Sequence, residues 1–220
     1  MAKPMIDPEA LISMFENATA QQGAQLKKAA SDATLAALQG RELTLKNIRS
    51  ALKAVSEAAS LGAAKNAGAG VDAGALLDNA VAGMDAALLK AVEANRVALG
   101  QFVAQGADLR DKHLKKAIDD LDKFEDTMFS ALKKTADGAG APLAGAWSQV
   151  LEKMQAGGTM AGAKASTTAE QMAEQMQGAI KSSRSAGLRA AQALAESYTA
   201  MVSGVLLGMS DALQVQSKKK

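Results

Sequence analysis

Residues 75–136 read ALLDNAVAGMDAALLKAVEANRVALGQFVAQGADLRDKHLKKAIDDLDKFEDTMFSALKKTA, without a proline. Leu77, Val81, Met84, Leu88, Val92, Leu99, Phe102, Leu109, Leu114, Ile118, Leu121, Met128 and Leu132 recur at three- and four-residue steps, which one slowly drifting helical face can carry. If continuous, such a helix is on the order of 90 Å long. Gly83, Gly100 and Gly106 each cost about 1 kcal/mol relative to alanine inside a helix, so a bend or break is expected between 100 and 106.

The same periodicity extends to both sides. Asp7 followed by Pro8 is a helix start, a side-chain acceptor and then a residue whose fixed φ suits the first turn. Leu11, Phe15, Ala18, Gln22, Leu26, Ala29 and Ala33 continue that helix to about Gln39, and Gly40 ends it. Glu42 to Asn66 carries Leu45, Ile48, Leu52, Val55 and Ala59, spaced like the seam of a coiled coil. The three glycines between Gly68 and Gly74 read as a hinge. Beyond Ala136, Gly, Ala, Ser and Thr dominate as far as Thr168, with one short helix around Trp147, Val150, Leu151 and Met154 that Gly157 and Gly158 end. A last helix follows over about 168–215, with Met172, Met176, Ile180, Leu188, Leu194, Tyr198, Met201, Val205 and Met209 near one face. The predicted organisation is an N-terminal helical hairpin (1–67), a long central amphipathic helix (75–136), a Gly/Ala/Ser-rich connector (137–168) and a C-terminal amphipathic helix with a lysine tail (169–220).

Composition agrees with an all-α fold, a bundle or elongated coiled coil of antiparallel helices. Hydrophobic residues make up 48% of the 220, but aromatics only 3%. Alanine is the strongest helix former and contributes little buried area per residue, so summed propensity favours long helices with thin contacts. Runs that alternate with period two are absent. Twenty-five basic and 23 acidic residues leave a formal charge of +2 with the signs mixed, so no concentrated face points to nucleic acid. Lys218, Lys219 and Lys220 read as a solvated tail or a weak contact with an anionic surface. With no Cys there is no disulfide or thiolate site, and Met1 to Pro8 lacks the pattern of a secretory leader, which fits a cytoplasmic protein. The uncharged apolar run Ser197 to Ser210 is shorter than the ~20 residues that cross a bilayer, so no transmembrane span is expected.

Chemistry has no visible carrier. His113, the one histidine, has Leu109, Lys116 and Ala117 one turn away and belongs to no metal-binding spacing. Asp119, Asp120, Asp122, Glu125 and Asp126 could suggest a cation site, but they fan around the helix with Lys116 and Lys123 between them, the pattern of a solvated face. The Gly-Ala-Gly near Gly138 follows no strand and cradles no phosphate. No catalytic residue, metal or cofactor is therefore expected, and the chain reads as a non-enzyme.

Ala200, Gly204, Gly208 and Ala212 form a line of small residues that permits close backbone approach. Beside it Met201, Val202, Val205, Leu206 and Met209 form an apolar patch, and eleven methionines in the chain supply adaptable contacts. Two readings stay open. The stripes are buried in a helical homo-oligomer, scaffold or chaperone-like assembly, or they meet a broad hydrophobic surface.

Within 88–132, the run Ala94-Asn95-Arg96-Val97-Ala98-Leu99-Gly100, then Ala104-Gln105-Gly106 and a charged helix holding Phe124, Met128 and Phe129, resembles the central helical region of phasins. The resemblance covers roughly a quarter of the chain. It implies attachment to polyhydroxyalkanoate storage granules through one face, by adsorption. On that reading Leu88, Val92, Leu99, Phe102, Val103, Met201, Val205, Leu206 and Met209 meet the hydrophobic phase. Lys112, Lys115, Asp119, Asp122 and Lys123 face water, and the partners are a granule surface or a protein, with a homo-oligomer expected.

Overall fold

A computed structural model describes residues 8–19, 23–39, 44–66, 72–104 and 112–182. Among them are eight helices and no strand: α1 (Pro8–Thr19), α2 (Gly23–Leu38), α3 (Leu45–Asn66), α4 (Ala73–Ala104), α5 (Lys112–Asp122), α6 (Phe124–Gly138), α7 (Ala141–Gly157) and α8 (Met160–Ser182). The helices pack on one another as an all-α bundle with α4 as its axis.

Local chemistry explains where the helices begin. The Thr44 hydroxyl accepts from the Asn47 amide at 3.3 Å, which caps α3. A carboxylate oxygen of Asp72 accepts from the amides of Gly74 (2.8 Å) and Ala75 (3.3 Å) and does the same for α4. Pro142 stands in the first turn of α7, where a missing N–H costs nothing. Gly158, at φ 67°, closes α7 by donating its amide to the Met154 carbonyl at 2.8 Å.

The interior is rich in alanine. Close to half of the buried apolar residues are Ala, interleaved with Phe15, Leu26, Leu38, Ile48, Leu52, Leu77, Met84, Leu88, Leu99, Phe124, Met128 and Trp147. Small residues allow backbones to approach, and Gly83 is the tightest instance. A Cβ built there would lie 2.2 Å from the Lys27 carbonyl oxygen and 2.8 Å from the Ala30 Cβ, so α2 and α4 meet backbone to backbone. Gly62 on α3 likewise lies close to the backbone of α1, where a Cβ would meet the Phe15 Cβ at 3.0 Å and the Glu16 nitrogen at 3.3 Å, and Glu16 pairs with Lys65 at 2.9 Å.

Three features differ from the expected organisation. The long central helix is interrupted: α4 is described to Ala104 and α5 from Lys112, and Lys123 alone separates α5 from α6. Beside Gly100 there is open space, so no close packing offsets its helical cost. The N-terminal helices are not a self-contained hairpin, because α2 makes its most extensive contact with α4.

The connector is not a connector. Its residues form the 17-residue α7 and the first turns of α8, and Trp147 is fully buried with its indole N–H donating to the Ser60 hydroxyl at 3.1 Å. Ser60 donates in turn to the Ser56 carbonyl at 2.9 Å, and the hydroxyls of Ser56 and Thr135 meet at 2.7 Å. This buried polar ladder ties α3 to α6 and α7. Gly, Ala and Ser are buried there only at the start of α8, at Ala161, Gly162 and Ala165; α7 is buried through Leu143, Trp147 and Val150, and its Gly145 and Gly157 face open space.

Candidate functional site: the two sides of α4

Position on α4 decides which neighbour a residue meets. Gly83 faces α2, and Asp85 is two residues on, hence about 200° away around the helix. Asp85 is buried and bonds to α8: its two carboxylate oxygens accept the amides of Met160 (3.0 Å) and Ala161 (2.8 Å). α2 and α8 therefore hold opposite sides of α4.

The start of α8 is collared by side chains from three places. Beyond the two bonds from Asp85, Glu125 of α6 accepts the Thr159 amide at 2.9 Å, and the Thr159 hydroxyl accepts from the Gly162 amide at 2.9 Å. Each of the four amides from 159 to 162 thus has a side-chain acceptor, two of which are carboxylates set at the positive end of the helix dipole. A Cβ at Gly162 would lie 2.6 Å from the Glu125 carboxyl carbon, so a larger residue there would make the Glu125 side chain shift from its place on the collar. Further along, Glu93 pairs with Lys164 of α8 at 3.3 Å and accepts from Arg96 Nε at 3.0 Å. The Arg96 hydrogen bond holds the Glu93 carboxyl below the usual carboxylate range against the opposing effect of burial, with Lys164 adding to it. The same pairing raises Arg96.

Leu88, Val92 and Leu99 point to within about 60° of the bearing of Asp85, on the side that α8 holds. All three are fully buried in the bundle. Sequence reasoning nominated them for contact with a hydrophobic phase, and the structure stores them inside. The side chains of Phe102, Val103 and Lys112, and the residues Met201, Val205, Leu206 and Met209, lie outside the described residues. Of the nominated water-facing charges, Lys115, Asp119, Asp122 and Lys123 are exposed. The ion pair that α5 forms is Lys116 with Asp120, at 2.7 Å.

Among the described residues the surface shows no broad apolar face. Leu61 and Met160 are the exposed large hydrophobic side chains, on different helices. A shallow crevice lined by Ile48, Asn95, Ala117, Asp120, Leu121 and Phe124 is too small to hold a water molecule. No group of acidic or histidine residues suited to a metal occurs among the described residues, and no helix there is long and apolar enough to cross a membrane.

The collar was not visible in the sequence. Glu125 looked like one member of a solvated acidic face, and Gly157 and Gly158 marked only the end of the helix before the place where it meets Asp85.

The model of a family of unknown function, DUF6781, matches residues 1–215. The chain belongs to that family. No curated protein and no solved structure matches it. The DUF6781 match runs through both the bundle and Met201 to Met209, so the apolar patch nominated there lies within the family's span.

Proposed function

We propose that this DUF6781 protein is a non-enzymatic amphipathic coat that adsorbs to a hydrophobic surface, a polyhydroxyalkanoate granule being the surface that the resemblance to phasins implies. The observation that carries this reading is the character of the interior: a stripe of large apolar residues, Leu88, Val92 and Leu99, lies on the side of α4 held by α8, whose described inner face is largely alanine. Ala-rich helices keep their helical preference when separated, and their mutual contacts bury little area per residue. Such a bundle can exchange contact with itself for contact with a broad apolar phase without unfolding its helices. Charged residues such as Lys115, Asp119, Asp122 and Lys123 stay in water throughout.

The full burial of the stripe also favours a second reading, a helical scaffold or homo-oligomer whose apolar faces meet only protein. One experiment separates the two. Fluorescently tagged full-length protein, expressed in cells packed with polyester granules, should ring the granules, and the purified chain should bind polyester beads. Diffuse fluorescence with no bead binding overturns adsorption and leaves the scaffold.

A further inference from the structure

We infer that α8 is a releasable strap, leaving α4 before α2 does and uncovering the side of α4 that carries Leu88, Val92 and Leu99. The inference rests on the adsorption reading for its purpose, and on the contrast between two seams for its order.

The seam with α2 is a locked one. Gly83 takes the Lys27 carbonyl against its own backbone, and Leu26, Ala30, Ala33, Ala37 and Leu38 are buried along α2. Separating this pair exposes large side chains and breaks a close backbone fit.

The seam with α8 is built differently. As far as Gln175, where the side chains of α8 are described, the buried residues are Ala161, Gly162, Ala165, Thr168, Ala169 and Met172, with one large apolar side chain among them. Thr168 is fully buried and its hydroxyl finds no hydrogen-bond partner, which opposes closure. What fastens α8 is polar: Asp85 and Glu125 on its first amides, and Glu93 on Lys164. Carboxylates, amides and an ammonium group all regain partners in water, so the net cost of separating them is a small part of their gross strength, and no apolar surface has to be wetted to break them. α8 is thus positioned by directional bonds but weakly held by apolar area, the combination that lets a helix register accurately and still come away. Because α2 and α8 occupy opposite sides of α4, release of the strap leaves the locked seam intact.

The chain contains no cysteine, which makes the test clean. In the full-length double variant Glu93→Cys/Lys164→Cys, a short bismaleimide ties α8 to α4. Before cross-linking, the variant, which lacks one fastening of α8, should bind polyhydroxybutyrate beads at least as well as the wild type; after it, binding should fall at least tenfold below the uncross-linked form. Equal binding by the tied and untied forms overturns the strap. If the wild type itself does not bind beads, the adsorption reading fails, and hydrogen exchange on the unmodified protein still decides the order of opening. Amides of α8 should exchange at least tenfold faster than those of Leu26 to Leu38, with Asp85→Ala accelerating α8 alone. Equal protection of α2 and α8 overturns the strap whatever the beads show.

Discussion

At Gly83 two opposing effects can be weighed. Alanine would gain about 1 kcal/mol of helical propensity over glycine. Its Cβ, however, would lie 2.2 Å from a backbone oxygen that cannot swing aside, so α2 and α4 must move apart. Overpacking of that kind costs typically 1–3 kcal/mol, and Gly83→Ala is therefore expected to lower the urea midpoint despite the better helix former. Thr168 works the other way. Thr168→Val keeps the shape and removes a buried hydroxyl without a partner, so it should stabilise the fold by up to about 1 kcal/mol in the same measurement. Glu93 adds a pH dependence. Its carboxyl is held low in the fold, so the stability it contributes is present above the ordinary carboxylate value and fades as pH falls through that value toward the lowered one. The pair is about a third exposed, so the effect should stay under about 1 kcal/mol. Exchange of α8 amides should quicken below roughly pH 4, and Glu93→Gln should flatten that profile. In the sequence Gly83 showed only its helical cost, and Thr168 only a polar residue near a helix start, because what each touches comes from another part of the chain.

Helix spacing, by contrast, was legible wherever large apolar residues marked it. Ile48, Leu52, Val55 and Ala59, picked out by their spacing, are all buried along α3, and Leu45 is half-buried at its start. From Ala141 to Thr168 the composition resembles a linker, because the solvent side of α7 carries Gly, Ala and Ser and its buried stripe is only Leu143, Trp147 and Val150. The start of α8 packs through Ala161, Gly162 and Ala165, which leave no hydrophobic stripe to detect. Trp147 was the clue, as an indole seldom sits in a linker. Its burial carries a prediction for α7. Trp147→Phe keeps an aromatic ring but removes the donor to Ser60 and part of the filled volume. The loss should be about 1–3 kcal/mol in the urea midpoint, and Trp147→Ala should cost about 3–5 kcal/mol. A change near zero for both would mean that α7 is peripheral to the bundle. The separation of α5 from α6 at Lys123 left no mark in the periodicity.

For the molecule as a whole, the two sets of polar contacts predict how far opening goes. Those on α8 join it to α4 and α6 at positions 159–164; the Lys164 pair and the bonds to Thr159 and Met160 are partly exposed, so water can replace them first, and the bond from Ala161 to the buried Asp85 goes last. The ladder of Ser56, Thr135, Ser60 and Trp147 joins α3, α6 and α7 in the interior, where a separated hydroxyl or indole N–H would first have to be reached by solvent. Opening that starts at α8 therefore has a natural stopping point before that ladder. The single tryptophan reports on it. When the protein adsorbs on polyester beads, α8 amides should lose protection while Trp147 keeps a blue-shifted emission inaccessible to iodide, and far-UV circular dichroism should show helix content undiminished. If Trp147 becomes quenchable in step with adsorption, the bundle unfurls completely and the partial opening described for α4 and α8 is wrong. The outcome also bears on reversibility, since a core that keeps α2, α3, α4, α6 and α7 together gives α8 a preformed seat to return to when the surface is withdrawn.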